Sequence, residues 1–344
     1  MEAINKVINW FTIGLVFLLP FFFLPTTTEF YIFNKQALLI FAAGLLLILW
    51  LAKMVISQTL TFRKTALDLP VIFFALAYLI VSLMATPNKV IALTAPTGLG
   101  TILALTVLYF VITNNIQDTP EVVKHTLHAF IASSTLLGLI AVYQFLGLGE
   151  VLTSIPWLKN KLFTPSGSPL ILVSVLIIGL TMAVISFLRG FNKKGWLASV
   201  VVGGASVIIA VSLILTIYQL LPASLSQGGP GKDTSLVVLP YQDSWVIGIE
   251  SFKRSPFLGV GPGNYLSAFN RFRPITFNNN DFWDVRFGKT LVYPLELLTI
   301  GGLPVLGAYL FLLIKTLRLW LTTYRQEKGQ LPLLIGLALT MLLP

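Results

Sequence analysis

"QALLIFAAGLLLILWLAKMVI", residues 36–56, decides the fold. Its 21 residues carry one charge, Lys53, and no proline. A helix rises about 1.5 Å per residue, so this run can cross the roughly 30 Å hydrocarbon core of a bilayer. Similar runs recur at about Val7–Leu24, Leu69–Met84, Gly98–Ile112, Leu127–Leu148, Leu170–Leu188, Trp196–Leu221 and Leu291–Leu313. A ninth begins at Leu331 and meets Pro344 after fourteen residues, too short to span untilted, so the chain is expected to continue. The expected class is an all-α integral membrane protein, a polytopic transmembrane helix bundle.

Composition agrees. Of 344 residues, 56% are hydrophobic and only 10% charged, against about 25% charged in soluble domains; mean hydropathy is +0.87. The net charge of +10 is scattered between the apolar runs, which fits membrane orientation and not nucleic-acid binding. The absence of cysteine excludes disulfides, thiolate metal sites and cysteine catalysis. Lys6 precedes the first run as in a signal peptide, but no small-residue cleavage site follows, so a retained span is expected.

Short cytoplasmic loops accumulate Lys and Arg. Arg63 and Lys64, then Arg189, Lys193 and Lys194, then Lys315, Arg318, Arg325 and Lys328 fall on one side of the membrane if the N-terminus is cytoplasmic. The organisation that follows is seven spans over 1–221, a large extracytoplasmic loop over 222–290, and an eighth span with a truncated ninth over 291–344. The expected location is the cytoplasmic membrane, crossed many times, with the large loop outside. Structureless loops of that length are uncommon unless functional.

Inside the loop the pattern is helical. Trp245, Ile249 and Phe252 recur at i, i+4 and i+7, with Asp243 as expected N-cap and Pro256 as stop; Tyr265, Phe269 and Phe272 repeat the pattern between Asn264 and Pro274. Gly259, Gly261 and Gly263 between them are not a dinucleotide loop. Asn264 stands where the third glycine is required, and Pro262 removes an N–H that would hold phosphate. They are expected to form a tight corner between two short amphipathic helices folded back on the membrane surface.

The external cations are Lys159, Lys161, Lys253, Arg254, Arg271, Arg273, Arg286 and Lys289. Singly, each could snorkel to lipid phosphate. As a cluster, Arg271, Arg273 and Arg286 suggest an anionic ligand, because the guanidinium fork matches phosphate oxygens. If the second helix turns about 100° per residue, Arg273 lies near the aromatic face and Arg271 points almost oppositely. Glu296 lies about five residues into the eighth run, where an ionisable group is costly and often functional, though it could also reach the headgroups. His125 and His128 share a helix face without further metal ligands nearby. Gly301, Gly302 and Pro304 are expected to kink the last full run for packing.

"SWVIGIESFKRSPFLGVGPGNYLSAF", 244–269, followed by "LVYPLELLTIGGLPVLGAYLFLL", 291–313, resembles the O-antigen ligase and polymerase family over about residues 240–313, and "KLFTPSGSP", 161–169, is similar to its outer loop. The resemblance implies transfer of a glycan from a polyprenyl-pyrophosphate carrier to a glycan or lipid acceptor outside the cytoplasmic membrane, with no cofactor, metal or nucleotide. The chain departs from the family pattern in three places. Lys289, Thr290 and Leu291 stand where the family carries an external histidine, "YQDSW" lacks an arginine before the tryptophan, and Lys161 replaces the outer-loop arginine. In the expected inverting transfer, Arg273 and then Arg286 stabilise the leaving phosphate, Lys161 binds the second phosphate, Glu296 is the base, and Arg271 and Lys289 complete the substrate-binding set. The competing expectation is a transporter or flippase of a lipid-linked or amphipathic anion, disfavoured because no paired broken spans and almost no deep charge are visible. A metal-dependent glycosyltransferase would need acidic residues in the first external loop, where only Glu29 stands.

Overall fold

The computed structural model describes residues 2–27, 29–59, 62–116, 120–190, 196–221, 238–279, 283–290 and 292–326. Among these the secondary structure is helical, without strands: α1 (Glu2–Leu18), α2 (Ile32–Ser57), α3 (Asp68–Met84), α4 (Lys89–Thr94), α5 (Leu99–Asn115), α6 (Pro120–Phe145), α7 (Leu148–Leu152), α8 (Pro169–Gly190), α9 (Trp196–Leu220), α10 (Tyr241–Arg254), α11 (Tyr265–Phe272) and α12 (Tyr293–Gln326). Segment 222–237 and the ninth apolar run lie outside the described residues.

Among the described residues five helices are long and apolar enough to cross a membrane: α2, α6, α8, α9 and α12; α3 and α5 are apolar but shorter. Their outward faces are also apolar. In α9 only 17% of the most apolar window is buried, while Val207 and Ile214 stand exposed. A helix that is hydrophobic all round needs an apolar surround, which the bilayer supplies. The first run differs from expectation at its end, because α1 stops at Leu18 instead of reaching Leu24. Pro20 lacks the N–H that would continue the ladder, and turns follow it.

The chain divides into two compact units. The first takes the described residues of 2–38, 115–221 and 320–326. Its core is Ile131, Leu137, Leu172, Leu176, Ala183 and Ile209, and its helices approach closely at small residues. A Cβ on Gly179 would meet Ser134 at 2.4 Å, and one on Gly138 would meet Ser212 at 2.8 Å, where the Ser212 hydroxyl donates to the Gly138 carbonyl. Water-driven burial is absent between membrane helices, so close small-residue contacts and such hydrogen bonds supply the cohesion.

The second unit takes Leu39–Asn114 and Val237–Leu319 around Tyr78, Ile247, Phe269, Phe277, Leu297 and Ile300. Here α10 and α11 form as their periodicity predicts, but their starts and faces differ in detail. α10 begins behind Pro240, so Asp243 falls in the first turn and does not cap it; Asn264 stands at the start of α11 without a capping bond. α10 buries Ser244, Ile247, Gly248 and Ser251, while Trp245 is half exposed. Gly248 faces Leu295 and Thr299 of α12, which an added Cβ would meet at an ordinary contact distance of 3.6 Å.

Candidate functional site

The site is organised by a break in α12. Gly302 has φ +62° and ψ −160°, a conformation essentially restricted to glycine. Pro304 has no N–H, so the Ile300 carbonyl loses its helical donor. The glycine corner supplies what the break removes: Val260 N donates to Thr299 O at 2.9 Å, Gly261 N to Ile300 O at 2.9 Å, and Leu303 N to Pro256 O at 2.8 Å. At membrane depth an orphaned backbone group costs several kcal/mol, and irregular backbone survives only where other protein groups satisfy it. Glycine is required because a Cβ at 259 would lie 2.5 Å from Thr299 O, one at 261 would lie 2.4 Å from Thr86 Oγ1, and one at 263 would lie 2.7 Å from Ile91. The kink expected at Gly301, Gly302 and Pro304 is therefore a docking seat.

This docking creates a groove of about 410 Å³ lined by Ser251, Arg254 and Ser255 of the α10 end, Leu258–Val260 of the corner, Asn264, Ser267 and Arg271 of α11, and Ala85 and Pro87 after α3. Both arginines sit in the last turn of a helix, where the negative dipole end favours a cation. Among the described residues no acidic side chain lines the groove, and the buried Ser251 hydroxyl has no hydrogen-bond partner. Two arginines without an acidic residue in the described lining suit an anion carrying several oxygens.

Arg271 and Arg273 diverge as 100° per residue requires, and Pro274 adds to the effect, since Arg273 leaves the helix with ψ 134°. Arg273 lies over the rings of Phe269 and Phe277 at 5.7 and 5.6 Å and donates to Trp283 O at 3.3 Å. Its guanidinium is engaged in holding the aromatic face. Arg271, whose guanidinium lies over the ring of its neighbour Phe272 at 5.6 Å, lines the groove, and Arg254, one of the external cations of the sequence, joins it. Arg286 and Lys289 are exposed.

Glu296 is buried, at 3% exposure. Its surroundings are Thr97, Thr290 and the Lys289 charge, with Tyr78, Tyr265 and Tyr293 close enough to feel its own charge. The Tyr78 hydroxyl donates to Thr97 O at 2.9 Å, whereas Glu296 Oε1 and the Tyr265 hydroxyl are buried without a hydrogen bond of ordinary geometry. The sequence left Glu296 between a functional group and a headgroup contact, and its burial speaks against the headgroup contact. Burial pushes the Tyr265 hydroxyl above its ordinary value, with Glu296 adding to the effect. Lys161 belongs to the first unit, where it faces Glu150 at 3.7 Å across an exposed pair. His125 stacks on Trp10 at 6.4 Å, and among the described residues no His, Cys, Asp and Glu group could hold a metal.

Compared with models of known protein families the chain matches none, and no curated protein matches it.

Proposed function

We propose that the protein transfers or polymerises a glycan from a polyprenyl-pyrophosphate carrier onto an acceptor at the outer face of the cytoplasmic membrane, in the manner of O-antigen ligases and polymerases. The observation that carries the proposal is the groove lined by Arg254, Arg271 and Ser251, with no acidic residue among its described lining. In the reaction, the acceptor hydroxyl oxygen bonds to the anomeric carbon while the bond from that carbon to the pyrophosphate oxygen breaks. The electron pair leaves with the pyrophosphate. Charge grows on the leaving group, so fixed cations are the main catalytic requirement, and the groove arginines meet it. Arg273 is then a positioning residue that holds the α11 face. The acceptor proton passes to a base, a role this reading gives to Glu296, the buried carboxylate of α12. Arg286 and Lys289, which do not line the groove, guide the anionic donor toward the loop.

The broken α12 favours a second reading, since interrupted spans also build transporter sites. One experiment separates the two. Purified protein in lipid nanodiscs is given a lipid-linked oligosaccharide and an acceptor, with a metal chelator and no nucleotide. Glycosylated acceptor together with free polyprenyl pyrophosphate supports transfer; carrier that stays intact in the nanodiscs but crosses the membrane of sealed proteoliposomes supports transport.

A further inference from the structure

Lys35, in the first turn of α2, belongs to no motif. Its ammonium donates to the carbonyls of Pro20 and Pro165, each at 2.8 Å, which leaves one of its three N–H donors over. Packing alone does not explain a charge here. The first turn carries the positive end of the helix dipole, which disfavours a cation. Taking an ammonium out of water is costly unless it is paired, and among the described residues no carboxylate pairs with Lys35. Glu150, the acidic group near that loop, faces Lys161 instead.

The neighbouring residue provides an internal comparison. The neutral Asn34 carboxamide donates to Leu24 O, Thr27 Oγ1, Glu29 O and Phe30 O, at 3.4, 2.8, 3.0 and 2.9 Å. Tying this segment to α2 therefore needs donors but no charge. The platform around Lys35 is also fixed. Phe163, Thr164 and Ser166 are buried, Thr164 and Ser166 hydrogen-bond each other at 2.9 Å, and Phe23, Trp157 and Phe163 pack ring against ring at 4.9 to 5.6 Å. Such aromatics are at home at headgroup depth. Lys35 itself is only half-buried, and among the described residues its ammonium has no hydrogen-bond partner besides the two carbonyls.

We propose that the Lys35 ammonium, fixed by the Pro20 and Pro165 carbonyls, binds the phosphate of a membrane lipid. A bulk phospholipid and a polyprenyl-pyrophosphate carrier present the same oxygens; only the second source rests on the proposed glycan transfer. The test compares wild type with Lys35→Gln and Lys35→Arg in detergent, titrated separately with farnesyl pyrophosphate and with a short-chain phosphatidylglycerol. Lys35→Gln is expected to weaken binding by about tenfold or more, because a charge-assisted bond is lost, while Lys35→Arg keeps most of it. Loss for farnesyl pyrophosphate alone assigns the carrier, and loss for phosphatidylglycerol assigns the bilayer lipid. Equal affinities in wild type and Lys35→Gln for both probes overturn the proposal, as does no binding by wild type. If Lys35→Gln does not fold, amine labelling of wild type decides: a probe should protect Lys35 relative to Lys161 and Lys289, and unchanged labelling overturns the site. Glycan transfer measured separately keeps the two proposals distinguishable.

Discussion

Gly261→Ala tests whether the glycine corner holds α12 together. Position 261 has φ +87°, where an L-residue costs about 1–2 kcal/mol. The new Cβ would stand 2.4 Å from Thr86 Oγ1 and 2.8 Å from Thr86 N, so the corner has to retreat. Retreat stretches the 2.9 Å bond from Gly261 N to Ile300 O, and Pro304 offers that carbonyl no replacement. A buried unsatisfied carbonyl costs about 1–3 kcal/mol, so the two effects sum to about 2–5 kcal/mol. At about 2–4 °C per kcal/mol for a large domain, the thermal midpoint of the detergent-solubilised protein should fall on the order of 10 °C. Gly307→Ala is the control. It lies in the helical part of α12 with nothing within 4 Å of the added Cβ, and alanine is favoured over glycine there by up to about 1 kcal/mol. Equal midpoints for the two variants would refute the docking argument.

Arg254→Ala and Arg271→Ala should each lower glycan transfer about 10- to 100-fold, the worth of one or two charge-assisted bonds. The thermal midpoint should be unchanged for Arg254→Ala and fall less for Arg271→Ala than for Arg273→Ala, since Arg271→Ala loses one ring contact where Arg273→Ala loses two. Arg273→Ala should instead lower the midpoint through about 1–2 kcal/mol of lost ring contacts, and a silent Arg271→Ala would remove the groove from the reaction. Burial raises Tyr265 above the ordinary tyrosine value of 10.0, so its contribution to stability is full below that pH and is lost as pH rises further. Tyr265→Phe should therefore show a shallower fall in thermal midpoint above about pH 10 than wild type, and identical slopes would exclude it. In a chain without cysteine, an impermeant thiol reagent on intact cells should label Asn270→Cys and spare Lys64→Cys, both at exposed positions; the opposite pattern would invert the orientation.

Long apolar runs determined the class from the sequence alone. A span needs about 20 apolar residues regardless of its neighbours, and the eight runs each reappear as a helix, most with ends shifted by a few residues, while α12 runs well past Leu313 to Gln326. The two amphipathic helices around the glycine corner were equally legible, because their period, their prolines and the divergence of Arg271 from Arg273 are local properties. Glu296 could be singled out for the same reason, as a charge inside an apolar run. What local sequence does not contain is which backbone the glycines must approach. Gly261 is matched to Ile300 and Thr86, far along the chain on either side, and only the folded chain brings Arg254 beside Arg271. Lys35 reads in sequence like Lys53, a basic residue at the edge of a span. Its distinction lies in the carbonyls of Pro20 and Pro165, 15 and 130 residues away, and the cost of a buried charge is set by what surrounds it in space.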